Sequence, residues 1–116
     1  YTFVAGLIRK AEKSIILIDN YVDDTTLTLF SRRKVGTEFK IYTHQISAQL
    51  ALDIKKFNTQ HGVVEVFELK LAHDRFLIID NTELYHIGAS LKDLGKKWFA
   101  FSKFEIESFD ILKRLN

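Results

Sequence analysis

The sequence predicts an α/β fold, a mixed β-sheet flanked by helices, and three observations predict it. Apolar residues recur first in the order helix, strand, helix, strand, helix, strand, the pattern of a wound parallel sheet. Beyond residue 70, two apolar runs separated only by Asn81-Thr82 replace the helices, a hairpin signal that turns the sheet antiparallel. The 116 residues are 47% hydrophobic and 28% charged, enough for one globular domain with a core of its own over 1–116.

Taken in order, Thr2 to Lys13 carry Phe3, Val4, Leu7, Ile8 and Ala11, which is helical spacing. Ser14 to Asp19 is a continuous apolar run ending in Asp19-Asn20, typical of a strand buried on both faces. Asp23 and Asp24 suit the start of a second helix, with Leu27 and Phe30 on one face and Gly36 closing it. Glu38 to Thr43 alternates Phe39 and Ile41 with polar residues, as a half-buried strand does. Ser47 can cap a helix running to about Gln60, with Leu50, Ala51, Ile54 and Phe57 inward and Gly62 after it. Val63 to Leu69 alternates again; Arg75 to Asp80 and Glu83 to Ile87 form the hairpin. Trp98 to Phe104 reads as a further strand, and Glu105 to Leu115 as a last amphipathic helix. There is no proline, repeat or low-complexity stretch, so no internal linker is expected.

Composition removes several classes of function. No apolar run nears the ~18 residues of a membrane span, and no signal-peptide pattern opens the chain. The absence of cysteine excludes disulfides and thiolate metal sites; the cytoplasm is the expected compartment. Net charge is only +2, so bulk polycation binding to nucleic acid is not the driving force. Local basic clusters do exist at Arg32-Arg33-Lys34, Lys55-Lys56, Lys96-Lys97 and Lys113-Arg114, and their simplest reading is solvated surface. The chain also has no methionine, which leads us to expect a domain excised from a longer protein.

Chemistry concentrates after residue 70. His73 and Arg75 lie two apart, hence on one face of a strand, where an imidazole and a guanidinium can hold a phosphate between them. A two-residue turn at Asn81-Thr82 would set Asp80 opposite Glu83, Arg75 opposite Gly88, and Ser90 beside His73. Gly88 would let the backbone approach a ligand closely, and Ser90-Leu91-Lys92-Asp93 resembles a capping box whose free N–H groups bind anions. Asp80 lies ~20 Å along the strand from His73, so its expected role is structural, accepting hydrogen bonds in the turn. Asp19-Asn20-Tyr21 follows a strand where α/β sheets place site residues, and is a candidate for the rim of the site. His44, His61 and His86 read as surface, helix-terminal and packed or solvated residues respectively. No ligand spacing for zinc appears, so neither metal nor cofactor is expected. Trp98, Phe99, Phe101 and Phe104 are core rather than base-stacking candidates, whereas Lys96 and Lys97 suit contact with a nucleic-acid backbone.

The constellation His73-x-Arg75-x4-Asp80, a hairpin, then Gly88-x-Ser90 resembles the phospholipase D-like superfamily, with its His-x-Lys-x4-Asp motif followed by Gly-Ser. The resemblance is sharpest over Leu71 to Phe104 and implies a single-motif half domain. It implies a metal-independent phosphodiesterase of nuclease type. His73 would be the nucleophile forming a phosphohistidine, Arg75 the phosphate clamp, and Ser90 a further donor. Glu105, or Glu107, would orient the histidine. One motif copy implies a homodimer in which two His73 meet across a two-fold axis. Two departures stand out. Arginine replaces the family lysine, and where the family places an asparagine after the serine this chain has Leu91, Lys92 or Asp93. Lys92 would serve there as a phosphate-binding cation. The alternative reading is therefore a degenerate module that dimerises and binds nucleic-acid phosphate. Ile87 to Lys103 also looks like a domain that follows a phage-type DNA-binding module in mobile-element proteins. A lipid substrate is disfavoured, because no amphipathic membrane-binding helix is visible.

Overall fold

The computed structural model describes residues 2–70, 75–87 and the backbone of 101–105. Helix α1 (Thr2–Lys10) buries Val4, Ala5, Leu7 and Ile8 at the predicted spacing. The Ala11 N–H still bonds the Leu7 carbonyl, but the helix stops short of Lys13 because the three amides after Ala11 go elsewhere: Glu12, Lys13 and Ser14 donate their N–H groups to the Asp80 carboxylate at 2.7–3.2 Å. Strand β1 (Ser14–Ile18) follows, with Ile15 and Leu17 buried on one face and Ile18 on the other.

Helix α2 (Asp24–Leu29) begins with a reciprocal cap: Asp23 Oδ1 accepts the Thr26 N–H at 3.1 Å, and Thr26 Oγ1 accepts the Asp23 N–H at 3.3 Å. The helix is shorter than expected and passes into a 3₁₀ turn, Phe30–Arg32. Gly36 does not close it. Gly36 instead takes φ 89° in a turn where the Thr37 N–H bonds the Lys34 carbonyl at 3.1 Å. Arg33 causes the break. Its backbone is extended (φ −66°, ψ 155°), and its guanidinium donates to the carbonyls of Phe30, Thr37 and Val63, each at 3.3 Å. The same group lies 5.4 Å from the Phe39 ring centroid and 5.7 Å from that of Phe57.

Strand β2 (Glu38–Thr43) runs parallel to β1, and strand β3 (Glu65–Glu68) parallel to β2. Between them, helix α3 (Ala48–His61) starts where Ser47 Oγ accepts the Leu50 N–H at 3.1 Å and ends before Gly62, at φ 83°. Strands β4 (Arg75–Ile79), β5 (Glu83–Ile87) and β6 (Phe101–Glu105) are all antiparallel, giving the sheet order β3-β2-β1-β4-β5-β6. The predicted switch from parallel to antiparallel pairing therefore occurs at β1, the strand on which the two halves of the sheet meet. Glu105 is a strand residue paired with Glu83, not the start of a helix; the rest of the expected helix lies outside the described residues.

The hairpin loop holds three residues, Asp80-Asn81-Thr82, rather than the two of Asn81-Thr82, since Ile79 pairs with Glu83. Asp80 and Asn81 take φ 55° and 56°, and the Thr82 N–H returns to the Ile79 carbonyl at 3.0 Å. Asp and Asn are the residues that tolerate left-handed backbone outside glycine, so they, and not Thr82, occupy the turn centre. The register shifts accordingly: Ile79 faces Glu83, Leu77 faces Tyr85 and Arg75 faces Ile87, not Gly88.

The three helices among the described residues pack on one face of the sheet. Val4, Ile8, Leu27, Leu50 and Phe57 meet Leu17, Phe39, Ile41, Leu77 and Ile87 in a single cluster. Each such side chain withdrawn from water contributes about 1.5–3 kcal/mol. The opposite face carries a smaller cluster of Ile18, Ile78 and Leu84, with Tyr42 and Phe76 against it.

Candidate active site

The pleat decides which residues can share a site. On the helix-covered face, Leu17, Ile41 and Leu77 are core, and two residues further along their strands come Asp19, Thr43 and Arg75. The pairings Ile18–Tyr42 and Ile18–Phe76 bring these three into one row at the carboxyl ends of β1 and β2. This is where open α/β sheets bind ligands.

Asp19 anchors the row. It is fully buried (0% exposed), and its N–H bonds the Tyr42 carbonyl at 3.0 Å. Its Oδ1 accepts the Tyr21 N–H at 3.0 Å and lies 3.5 Å from Arg75 Nε. A carboxylate buried to this extent requires a compensating cation, and Arg75 supplies it. Arg75 keeps 23% of its side chain exposed, and its guanidinium carbon sits 5.5 Å from the ring centroid of the largely exposed Tyr21. Arg75 Nε is itself buried without a hydrogen bond of good geometry, and so is Thr43 Oγ1 in the same row. An unsatisfied buried polar group costs about 1–3 kcal/mol, a cost that recurs where ligands or ordered waters bind.

Of the site residues expected from sequence, Arg75 is the first residue of β4 and joins this row. His73, Gly88, Ser90 and Lys92 lie outside the described residues, as do Lys96, Lys97, Trp98 and Glu107. Glu105 is not brought to Arg75. Its backbone lies in the row of Ile79 and Glu83, four positions from the row of Arg75, Ile87 and Phe101. At ~3.3 Å per residue that is ~13 Å along the strand. Asp80 sits at that same far end. Its carboxylate serves the linker between α1 and β1 rather than its own turn, while its N–H bonds the Ser14 carbonyl at 2.8 Å. Burial alone would raise the Asp80 pKa. The N–H groups of Lys13, Ser14 and Glu12 and the Lys13 ammonium outweigh it and hold the carboxyl below its ordinary value.

The other histidines fall away from the site. His44 is exposed just beyond β2, and His61 ends α3 with its ring 5.2 Å from Phe57. His86 lies on the opposite face, 5.4 Å from Phe76. Among the described residues no cluster of His, Asp and Glu could hold a metal ion. No helix among them is long and apolar enough to cross a membrane. Sequence reasoning ranked Asp19 only as a rim residue and passed over Thr43. The signal for both was present: Thr43 ends β2 and Asp19 directly follows β1, each on the same pleat parity as its core residues.

No family model and no curated protein matches the chain. Among solved structures, NucT from Helicobacter pylori is similar in fold, with a TM-score of 0.66 and 14% identity over 98% of this chain and 81% of that one. The archaeal chromatin protein TrmBL2, described as showing a novel mode of DNA binding, has a TM-score of 0.57 at 16% identity over 98% of this chain. The chain spans 45% of the length of that chromatin protein. At these identities the likeness shows the fold alone, and the chemistry rests on the residues themselves.

Proposed function

We propose that the chain is a phospholipase D-like domain acting on nucleic-acid phosphodiesters without a metal. The observation that carries this reading is Arg75, held by the buried Asp19 at the carboxyl ends of the parallel strands and two residues after His73. In this reading a ring nitrogen of His73 attacks phosphorus and the bond to the leaving oxygen breaks. The His73 of a second copy protonates that oxygen. Water activated by the second imidazole then hydrolyses the phosphohistidine and returns both groups to their starting state. Arg75 stabilises the charge on the non-bridging oxygens, assisted by Ser90, Lys92 and the backbone at Gly88. The likeness in fold to NucT supports a nuclease-type module.

A second reading is a domain that dimerises and binds nucleic-acid phosphate without turnover. Its specific support is the ion pair of Arg75 with Asp19, which offsets part of the charge a transition state would use. The DNA-binding protein among its fold neighbours points the same way.

The deciding experiment is hydrolysis of a bis-aryl phosphodiester and of single-stranded DNA in excess EDTA, comparing the parent with His73→Ala. EDTA-resistant turnover that falls by at least about 100-fold in the variant is expected. Equal turnover in both proteins would sink the histidine mechanism. No turnover in either, with DNA binding intact, would establish the second reading.

A further inference from the structure

Arginine at position 75 is the point at which this chain departs from a lysine-based phosphate site. We infer that Asp19 and Tyr21 are positioning residues for the Arg75 guanidinium, and that they make arginine, not lysine, the required cation here. The inference rests on the phosphate-binding reading of the site.

The geometry divides the guanidinium into working parts. Nε faces the Asp19 carboxylate at 3.5 Å, and the planar group lies against the Tyr21 ring with its carbon 5.5 Å from the centroid. Asp19 is in turn fixed by its own N–H on the Tyr42 carbonyl and by the Tyr21 N–H on its Oδ1. Carboxylate and ring belong to one short segment, Asp19-Asn20-Tyr21, tied by the Tyr21 N–H on Asp19 Oδ1. A guanidinium has five donors in a rigid plane; with Nε turned toward the Asp19 carboxylate in an ion pair, its terminal nitrogens still offer a fork for two phosphate oxygens. A lysine ammonium is a point charge with three donors and no face to stack. Pairing it with Asp19 would leave its charge largely spent inside the protein. The buried carboxylate, which is a liability for an anion site when viewed alone, thus becomes the group that aims the cation. Proximity of an exposed aromatic face adds attraction that survives partial solvation.

The test combines binding and a direct view of Arg75. Binding of a labelled single-stranded oligodeoxynucleotide, with inorganic phosphate as competitor, would be measured for the parent, Arg75→Lys, Arg75→Gln, Asp19→Asn, Tyr21→Ala and Tyr21→Phe. Isotope-edited NMR of the arginine Nε–H groups would report whether Arg75 is held. Expected is a loss on the order of tenfold for Asp19→Asn, Tyr21→Ala and Arg75→Lys, the scale seen when the partner that orients a binding group is removed. Tyr21→Phe keeps the ring and should bind as the parent does. In an Arg75→Gln background neither Asp19→Asn nor Tyr21→Ala should weaken binding further. Additive losses, or parent-like binding by Tyr21→Ala and Arg75→Lys, would overturn the inference. Tyr21 is exposed, so its variants answer the question even if Asp19→Asn fails to fold. A parent that binds neither probe would sink the phosphate reading instead. The positioning claim would then be decided by the Arg75 Nε signal, standing if that signal is lost in Tyr21→Ala and falling if it is unchanged.

Discussion

Asp80 shows how one side chain can set the boundary between two elements. Its carboxylate collects three successive N–H groups from Glu12, Lys13 and Ser14, the amides that would otherwise extend α1. The linker is thereby fixed where β1 enters the sheet. Asp80→Asn removes the charge and leaves one acceptor oxygen. Most of these donors are near the surface, where water replaces a lost partner, so the expected cost is about 1–2 kcal/mol in denaturant unfolding at neutral pH. The sign of its pH dependence follows from the lowered pKa. A depressed carboxyl stabilises the fold above its unfolded value of about 3.9, and the stabilisation disappears as pH falls through the folded value. The stability gap between parent and Asp80→Asn should therefore be full near pH 7 and close below about pH 4. A gap that stays constant across that range would show that the charge does not matter.

At the scale of elements, the hairpin carries the most consequence, because its turn fixes the register of β4 against β5 and so what stands beside Arg75. Asp80 and Asn81 hold left-handed backbone at φ 55° and 56°. A β-branched residue in that conformation costs about 1–2 kcal/mol. Asn81→Val should lower unfolding stability by that amount, while Asn81→Gly should leave it unchanged or raise it slightly. If both variants unfold alike, the turn is not the element that holds register. The alternating and continuous apolar runs of β1, β2, β4 and β5 were legible in the sequence, because burial imposes a period of two or none at all on a strand. The early end of α1, the break after Leu29 and the one-residue shift of the hairpin were not. The first two depend on a side chain acting outside its own element, Asp80 on the α1–β1 linker and Arg33 on the Phe30, Thr37 and Val63 carbonyls; the third depends on the left-handed backbone of Asp80 and Asn81, which adds a residue to the loop.

At the scale of the whole molecule, the question is where a second histidine would come from. Arg75 and Asp19 could be read as neighbours only after the sheet order set β4 against β1, a long-range pairing that no local pattern encodes. That pairing leaves the row of Thr43, Asp19 and Arg75 at the outer end of the sheet, and the chain carries one His73. A phosphohistidine mechanism uses two imidazoles, one bonded to phosphorus and one delivering the proton to the leaving oxygen. Two copies related by a two-fold axis would supply both, and each would then depend on the other. Mixing parent with His73→Ala subunits separates this arrangement from a site complete in one chain. If both histidines of a dimer are required, only parent–parent pairs turn over. Random exchange at equal amounts then leaves about a quarter of the activity of the same total protein, against about half for independent sites. The activity should follow the square of the parent fraction across the whole series, with the mixed dimers verified by mass. A linear dependence would assign the chemistry to the single chain, and the acid would have to be sought among its own residues.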